Sequence, residues 1–178
     1  MTETEMKEVG VIGLGLMGCS VVAAMLINGY KVIAVAPIEP DVEHGPSRVL
    51  HALRESFKQG IHKHDVTRLQ SNVFYTRDYA DLRNCFLVIE CVVENVDIKR
   101  NVYSLVEAVV SSETVITTNT SAIPVTVLQD TLVNPERFLG MHWAEPAFTT
   151  PFLEIICGAK SDLSVAERLY VIAGTWGK

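Results

Sequence analysis

The chain has 178 residues, of which 48% are hydrophobic and 20% charged, and its formal net charge is −6. This length and balance are typical of one globular domain with a sizeable core. The negative charge disfavours nucleic acid or an anionic membrane surface as the main partner. No apolar run reaches the roughly 18 residues that a membrane span needs.

The first eight residues, MTETEMKE, are charged and lead directly into a predicted strand, so the sequence predicts no signal peptide. The four cysteines form no C-x-x-C pair, and three of them lie in apolar surroundings. This pattern favours reduced, buried thiols in a cytoplasmic protein.

Strand and helix patterns alternate along the chain. In order, the sequence predicts a strand at 9–13, a helix at 17–28, a strand at 31–35, helices at 48–59 and 64–70, strands at 73–75 and 85–93, a helix at 96–110, a strand at 114–119, a helix at 123–129, strands at 137–143 and 152–158, and a helix at 162–174. Residues 36–47, APIEPDVEHGPS, are predicted to be turn-rich. Ser121 is a candidate N-cap, with Pro124 in the first turn of the helix that follows.

The alternation predicts an α/β fold of Rossmann type, a doubly wound and mostly parallel sheet with helices on both faces. The strand at 85–93 is apolar without alternation, as expected of a parallel strand that is covered on both faces. No repeat, low-complexity tract or linker interrupts the pattern.

The stretch VIGLGLMGCS has the spacing G-x-G-x-x-G between a strand and a helix. Gly13 permits a tight turn, Gly15 lets a pyrophosphate approach the backbone, and Gly18 lets helix and strand pack closely. The first helical amides, at Leu16 and Met17, then face the phosphates. The alternative, a glycine-rich packing turn, stays open.

The second strand lacks the acid that usually binds the adenosine ribose, because Ala36 stands at that position. The nearest acid is Glu39, and the next cation in sequence is Arg48. An acidic run at 39–43 would repel a 2′-phosphate. The sequence therefore predicts NAD rather than NADP, with an unusual ribose contact from Glu39.

Three later stretches follow the glycine loop in order: IECVVENVDIKRNVYSLVEAVV, TTNTSAIPVTVLQ and ERFLGMHWAEPAFTTPFLEIICG. Together they resemble the NAD-binding domain of the L-3-hydroxyacyl-CoA dehydrogenases, most weakly between residues 37 and 83. The resemblance implies an oxidoreductase of fatty acid metabolism that transfers hydride between the 3-hydroxyl carbon of a 3-hydroxyacyl-CoA and NAD.

The resemblance assigns roles to five residues. Glu94 and Lys99 would line the cofactor site, and Ser121 would bind the substrate oxygen beside the nicotinamide. His142 would be the general acid/base, oriented by Glu154. The chemistry suits these types, since histidine exchanges protons near neutral pH and a carboxylate fixes its tautomer.

Each of these residues also has a structural interpretation. His142 would otherwise be a core histidine, Ser121 only a helix cap, and Glu94 with Lys99 a solvated pair. Glu154 lies in an apolar strand, where an acid is unfavourable unless partnered.

No metal site is predicted. The remaining histidines lie in polar helices or turns, and the spacing of His62 and His64 is poor for a metal on a helix. Cys19, at the start of a predicted helix, is interpreted as a small packing residue.

The sequence departs from the family pattern in two further places. Glu145 replaces an Asn that contacts the cofactor, and an ionised carboxylate accepts hydrogen bonds but donates none. The arm that touches CoA is also rewritten, so that its cations either meet CoA phosphates or form a solvated face: Arg48, Arg54, Lys58 and Lys63.

Residues 1–178 are expected to be the NAD-binding domain alone. The family continues with a helical domain that dimerises and helps to bind the acyl-CoA substrate. Two alternatives stay open: an NAD-dependent dehydrogenase of a non-CoA hydroxy acid, of the L-gulonate or carnitine type, and a non-catalytic, crystallin-like homologue. Ala36 and Glu145 favour the last of these.

Overall fold

The computed structural model describes residues 6–178. The strands are β1 (Glu8–Ile12), β2 (Lys31–Val35), β3 (Val73–Thr76), β4 (Leu87–Glu90), β5 (Val115–Thr118), β6 (Phe138–Trp143) and β7 (Leu153–Cys157). The helices are α1 (Leu16–Ile27), α2 (Glu39–Lys58), α3 (Val66–Gln70), α4 (Val96–Glu107), α5 (Val125–Gln129) and α6 (Leu163–Thr175). Residues 1–5, on which part of the prediction against a signal peptide rests, lie outside the described residues.

All seven strands form one sheet in the order β3-β2-β1-β4-β5-β6-β7. Strands β1 to β6 pair in parallel, and β7 pairs antiparallel with β6 at the edge. Two buried apolar clusters cover the two faces of the sheet, one centred on α1 and one on α4. The predicted Rossmann-type, doubly wound fold is confirmed.

The chain reverses its direction of winding between β1 and β4, which are neighbours in the sheet. The carboxyl ends of parallel strands meet at one edge, and ligands of open α/β sheets bind in the crevice there. The glycine loop after β1 and the segment after β4 both lie at this switch point.

The predicted turn-rich segment 36–47 is wrong in its second part, because α2 begins at Glu39 and runs without interruption to Lys58. Pro40 occupies the first turn, where its missing amide is tolerated, and Glu39 and Asp41 suit the helix N-terminus. Pro46 lies inside the helix. Gly45 packs so closely on Leu14 that a Cβ there would lie 2.8 Å from Leu14 Cδ1, so tertiary packing outweighs the local turn signals.

Two smaller predictions also fail. Helix α5 begins at Val125 with Pro124 as its N-cap, so Ser121 caps no helix. Strand β4 ends at Glu90, before the predicted boundary at 93, although the Cys91 amide still donates to the Ile12 carbonyl of β1. Two short 3-10 helices, Tyr79–Asn84 and Pro135–Arg137, were not predicted.

The cysteines are free thiols, but they are less uniformly buried than predicted. Cys19 and Cys85 are buried, Cys91 is half-buried and Cys157 is exposed on β7. Within residues 6–178, no helix has the length and apolar character to cross a membrane.

Candidate functional site

The glycine loop shows a different constraint at each glycine. Gly13 has φ +90°, and a Cβ there would lie 2.8 Å from the Cys91 carbonyl oxygen. A Cβ at Gly18 would overlap the Gly13 carbonyl oxygen, so α1 and β1 pack without room for a side chain. A Cβ at Gly15 would meet no atom within 4 Å. Gly15 is also the N-cap of α1, with no side-chain cap, so the first helical amides face open space.

The loop is held in place through Leu14. Its amide donates to Asp41 Oδ2 at 2.9 Å, and its carbonyl accepts from Arg48 Nη1 and from Cys19 Sγ, each at 3.1 Å. Asp41 is buried, and burial raises the pKa of Cys19 to about 12, so this thiol stays protonated. The sequence singled out neither Asp41 nor the Leu14 contacts, because they depend on how α2 packs over the loop.

Two adjoining clefts lie beside the loop. A cleft of about 250 Å³ has mainly apolar walls: Gly13, Gly15, Pro37, Ile38, Val92 and Val93. A smaller cavity of about 220 Å³ lies at the carboxyl ends of β2 and β3, and its walls include Ala36, Asp41, Thr76 and Arg77. Asp41 lines both.

The next cation after Ala36 in sequence is Arg48, but in the fold Arg77 lines the same cavity as Ala36. The Ala36 amide donates to the Thr76 carbonyl at 2.8 Å, which brings Arg77 alongside the end of β2. Arg77 Nη1 lies 2.8 Å from Glu39 Oε2. This cation comes from the neighbouring strand, so its distance along the chain concealed it.

A buried polar cluster lies beneath the segment after β4. Lys99 is 1% exposed, and its Nζ donates to Glu90 Oε1 at 2.7 Å and to Oε2 at 3.0 Å. Tyr103 and Thr118 also donate to Glu90 Oε2, at 2.7 and 2.8 Å. The solvated-pair interpretation of Lys99 is therefore wrong. Glu90 was missed, although an acid ending an apolar strand is a signal that could have revealed it.

Glu94 fixes the loop that carries Ser121. Its Oε1 accepts hydrogen bonds from Thr120 Oγ1, from the Ser121 amide at 3.0 Å and from the Ala122 amide at 3.1 Å. Its Oε2 lies 3.4 Å from Lys99 Nζ. Desolvation by itself would raise the pKa of Glu94, but these hydrogen bonds and the Lys99 charge together lower it. The carboxylate is thus stabilised as an anion beside the Ser121 backbone.

Ser121, His142 and Glu154 form a connected chain of side chains. His142 Nε2 lies 3.1 Å from Ser121 Oγ, and His142 Nδ1 lies 2.7 Å from Glu154 Oε2. His142 on β6 stands directly opposite Glu154 on β7 in the strand register. The Glu154 side chain is 48% exposed on the edge strand, and it has a charged or polar partner, as its place in an apolar strand favours.

A further contact, not predicted, holds the end of β6. Asn119 Oδ1 accepts from the Trp143 amide at 2.8 Å and so joins the segment after β5 to the residue after His142. With Glu94, this side chain fixes the separation of Ser121 and His142.

Glu145 lies on the wall of a third cavity, of about 500 Å³, between α1, α2 and the segment after β6. The other walls include Leu16, Ser20, Arg48, His51 and Glu55. Partial burial raises the pKa of Glu145, although a hydrogen bond with Ser20 opposes the shift.

The remaining predicted positions lie apart from the group formed by Ser121, His142 and Glu154. Glu39 lies with Arg77 at the β3 side of the clefts, and Lys58 pairs with Glu55 at 2.8 Å. Across residues 6–178, no group of three or more His, Cys, Asp or Glu side chains is placed to hold a metal ion.

The geometry supports proton transfer at His142. A carboxylate at Nδ1 favours the tautomer that leaves Nε2 as an acceptor, and it stabilises the imidazolium that forms when Nε2 takes a proton. The hydroxyl of Ser121 lies where it can bind an oxygen atom next to that nitrogen.

This chain is similar to known dehydrogenases. Residues 8–178 match the family described as 3-hydroxyacyl-CoA dehydrogenase, NAD binding domain. The chain is 32% identical over 158 residues to 5-formyl-3-hydroxy-2-methylpyridine 4-carboxylate 5-dehydrogenase of Mesorhizobium japonicum, covering 87% of this chain and 50% of that protein.

Two solved structures are also similar. The 3-hydroxybutyryl-CoA dehydrogenase of Escherichia coli K12 has 26% identity and a TM-score of 0.90, with 98% of this chain and 37% of that chain covered. FadB2 of M. tuberculosis has 28% identity and a TM-score of 0.91, with coverage of 97% and 62%. The chain thus spans about half the length of the curated relative that it matches.

Proposed function

Because the chain belongs to the family of 3-hydroxyacyl-CoA dehydrogenase NAD-binding domains, we propose that it carries the acid–base centre of an NAD-dependent dehydrogenase. The proposed reaction transfers hydride between the 3-hydroxyl carbon of a 3-hydroxyacyl-CoA and NAD. The observation that carries this proposal is His142, held between Ser121 Oγ and the Glu154 carboxylate.

NAD is the cofactor of this domain family, and the switch point has the features that a dinucleotide needs. The open space at Gly15 and the uncapped amides of Leu16 and Met17 suit a pyrophosphate. Pro37, Ile38, Val92 and Val93 form apolar walls that suit an adenine ring. When bound there, NAD supplies the hydride acceptor.

The proposed roles of the protein side chains follow from the hydrogen bonds. With Nδ1 donating to Glu154, His142 Nε2 takes the proton of the substrate hydroxyl and returns it in the reverse reaction. Ser121 Oγ donates to the substrate oxygen as negative charge develops on it. The proton therefore moves between the hydroxyl oxygen and Nε2, while Glu154 remains ionised.

The proposed cofactor contacts are less direct. Glu94 acts at the nicotinamide end by holding the Ser121 backbone. Lys99 contacts no cofactor atom in this proposal; it positions Glu94 from the buried cluster that it forms with Glu90. Glu145 faces Ser20 beside the first turn of α1 and contributes a carboxylate where the family has an amide. Glu39 belongs to the adenosine end.

The test is a His142→Gln variant of a chain that carries this domain together with the helical domain of the family, assayed with 3-hydroxybutyryl-CoA and NAD. We expect turnover to fall by roughly two to four powers of ten, with NADH affinity near normal, since removal of an acid–base group has an effect of this size. A matched His44→Gln variant, in which the substituted histidine is exposed on α2, should retain activity. Near-normal turnover in His142→Gln would overturn the proposal.

A second candidate substrate is a small non-CoA hydroxy compound with a carboxylate. Two observations favour it: the relative that acts on a pyridine carboxylate, and the character of the 500 Å³ cavity beside α1. Two acids, Glu55 and Glu145, line that cavity together with one arginine, Arg48. This balance suits a single carboxylate better than the several phosphates of CoA.

The two substrates are separated by assaying NAD reduction with 3-hydroxybutyryl-CoA and with a hydroxymethyl pyridine carboxylate in parallel. If Arg48 binds the substrate carboxylate, an Arg48→Gln variant should raise KM for the pyridine carboxylate by more than it weakens NADH binding, which it also affects because Arg48 donates to the Leu14 carbonyl of the glycine loop. Turnover of the thioester alone would favour the first candidate.

A further inference from the structure

The end of β2 carries no charge of its own, but it lies beside a cation from β3. Val35 is in register with Thr76, and the Ala36 amide donates to the Thr76 carbonyl. Arg77 follows immediately, and it lines the same 220 Å³ cavity as Ala36. A guanidinium is thus present at the strand end where an acid usually receives the adenosine ribose.

Glu39 forms an ion pair with the guanidinium of Arg77. The Glu39 and Arg77 side chains meet at 2.8 Å and are 74% and 59% exposed. An ion pair so exposed to solvent adds little to the stability of the fold, so the loss of Glu39 leaves the protein folded with Arg77 open to another anion. A ribose 2′-phosphate is a suitable anion, because guanidinium binds phosphate through two parallel hydrogen bonds, but with Glu39 present it must also approach that carboxylate.

The other acids near this strand end are already engaged: Asp81 Oδ2 accepts from Thr76 Oγ1 at 2.7 Å, and Asp78 Oδ1 accepts from the Ala80 amide at 2.9 Å. Asp41 is buried and accepts the Leu14 amide through Oδ2. Glu39 is therefore the exposed carboxylate that meets Arg77 directly.

We propose that the Glu39–Arg77 pair, and not a strand-end acid, selects between NAD and NADP in this protein. Glu39 neutralises Arg77 and repels a 2′-phosphate, and the cleft then takes the cofactor with a free ribose. Without Glu39, Arg77 receives the 2′-phosphate. The inference rests on the proposed function, in which the adenosine end of the cofactor lies in these clefts.

The test is calorimetric titration of the chain with NADH and, separately, NADPH. We expect NADH to bind more tightly to the unchanged protein. Glu39→Gln should tighten NADPH binding by about tenfold relative to NADH, the size of one charge-assisted hydrogen bond. The double variant Glu39→Gln with Arg77→Gln should lose that gain.

Glu43→Gln is the matched control, since it removes the same charge from an exposed position on the same helix. An equal gain in this control, an unchanged NADPH to NADH ratio in Glu39→Gln, or a gain that survives the loss of Arg77 would each overturn the inference. In all three cases NADH still binds, so the proposed function stands. If neither cofactor binds the unchanged protein, the proposed function and the inference fall together.

Discussion

Gly15 and Gly18 belong to one motif but have opposite physical roles. Gly18 lies against the Gly13 carbonyl and has no room for a methyl group, whereas Gly15 borders open space and has φ −67°, a value that any residue adopts. Gly18 is therefore required by the fold, whereas Gly15 is required by the ligand under the proposed function.

This difference predicts two separable defects. Gly18→Ala should destabilise the fold by about 1–3 kcal/mol or more, because the new Cβ meets backbone that cannot move aside. Gly15→Ala should keep the stability and weaken NADH binding, since its Cβ would occupy the pyrophosphate approach. Urea unfolding and calorimetry measure the two effects.

Gly174→Ala in α6 is the control, because a Cβ there would meet no atom within 4 Å. Normal NADH affinity in a folded Gly15→Ala variant would contradict the placement of the cofactor at this loop.

Side chains far apart in sequence form the contacts that sequence reasoning missed. Asp41 reaches Leu14 over 27 residues, and Arg77 reaches Glu39 over 38. Local patterns predict which residues share a helix face or a strand face, but not which loops a packed helix covers. By contrast, His142, Ser121 and Glu154 were identified because a family resemblance already contained their tertiary arrangement.

Among the elements, β4 and α4 are joined by a charged core. Lys99 and Glu90 are each 1% exposed as side chains, and Tyr103 and Thr118 satisfy the second carboxylate oxygen. A buried pair with this many partners is stable as a unit, but either charge alone is strongly unfavourable.

Glu90→Gln should therefore lower the free energy of unfolding by roughly 3 kcal/mol, the low end of the range for breaking a buried pair, because Lys99 then keeps only Glu94, whose Oε2 lies 3.4 Å from Nζ. Denaturant unfolding measures this loss. The equivalent change Glu55→Gln, at a pair near the surface with Lys58, should have little effect. Equal stability of Glu90→Gln and the unchanged protein would show that Glu94 alone compensates the Lys99 ammonium, and it would contradict the prediction.

The Ser121 loop gives a prediction for pH. The pKa of Glu94 is lowered in the folded protein, so its ionised form stabilises the fold at pH values above about 4.3, the ordinary value for glutamate. This contribution disappears as the pH falls through the lowered pKa of the folded state. The difference in unfolding free energy between the protein and Glu94→Gln should therefore shrink in that acidic range.

Glu113→Gln, at an exposed turn, is the comparison that removes an acid without these hydrogen bonds. A difference that stays constant down to the acid limit would contradict the role of the Glu94 anion in fixing the loop.

The elements also show where sequence patterns succeed. Short apolar segments that alternate with helical segments along the chain predicted all seven strands. Within such a segment the apolar run is continuous, because a buried parallel strand is covered on both faces. The pattern failed at α2, where two prolines and a glycine give turn signals that contacts with α1 and the glycine loop override.

For the whole molecule, one continuous sheet joins both halves of the fold, and the proposed cofactor position bridges them at β1 and β4. Ligand bound at this junction should stabilise the entire domain and not one side of it. NADH at about 100 times its Kd should add about 2.7 kcal/mol to the free energy of unfolding.

A single cooperative transition that moves to higher temperature with NADH is the expected calorimetric result. The Gly15→Ala variant should show a smaller shift. A second transition that NADH does not move would contradict the cooperative unit.

The pairing of His142 with Glu154 has a consequence for how this centre tolerates change. The two residues face each other across the β6 and β7 ladder, so register and not chain separation sets their distance. The intervening segment 144–152 can lengthen or shorten without moving the two partners, provided that the same rungs stay paired. A slip by one rung would instead bring Leu153 or Ile155 opposite the imidazole and abolish the pair. The proposed proton-transfer centre therefore depends on strand alignment, which leaves the connecting hairpin open to insertions that reshape the adjoining cavity.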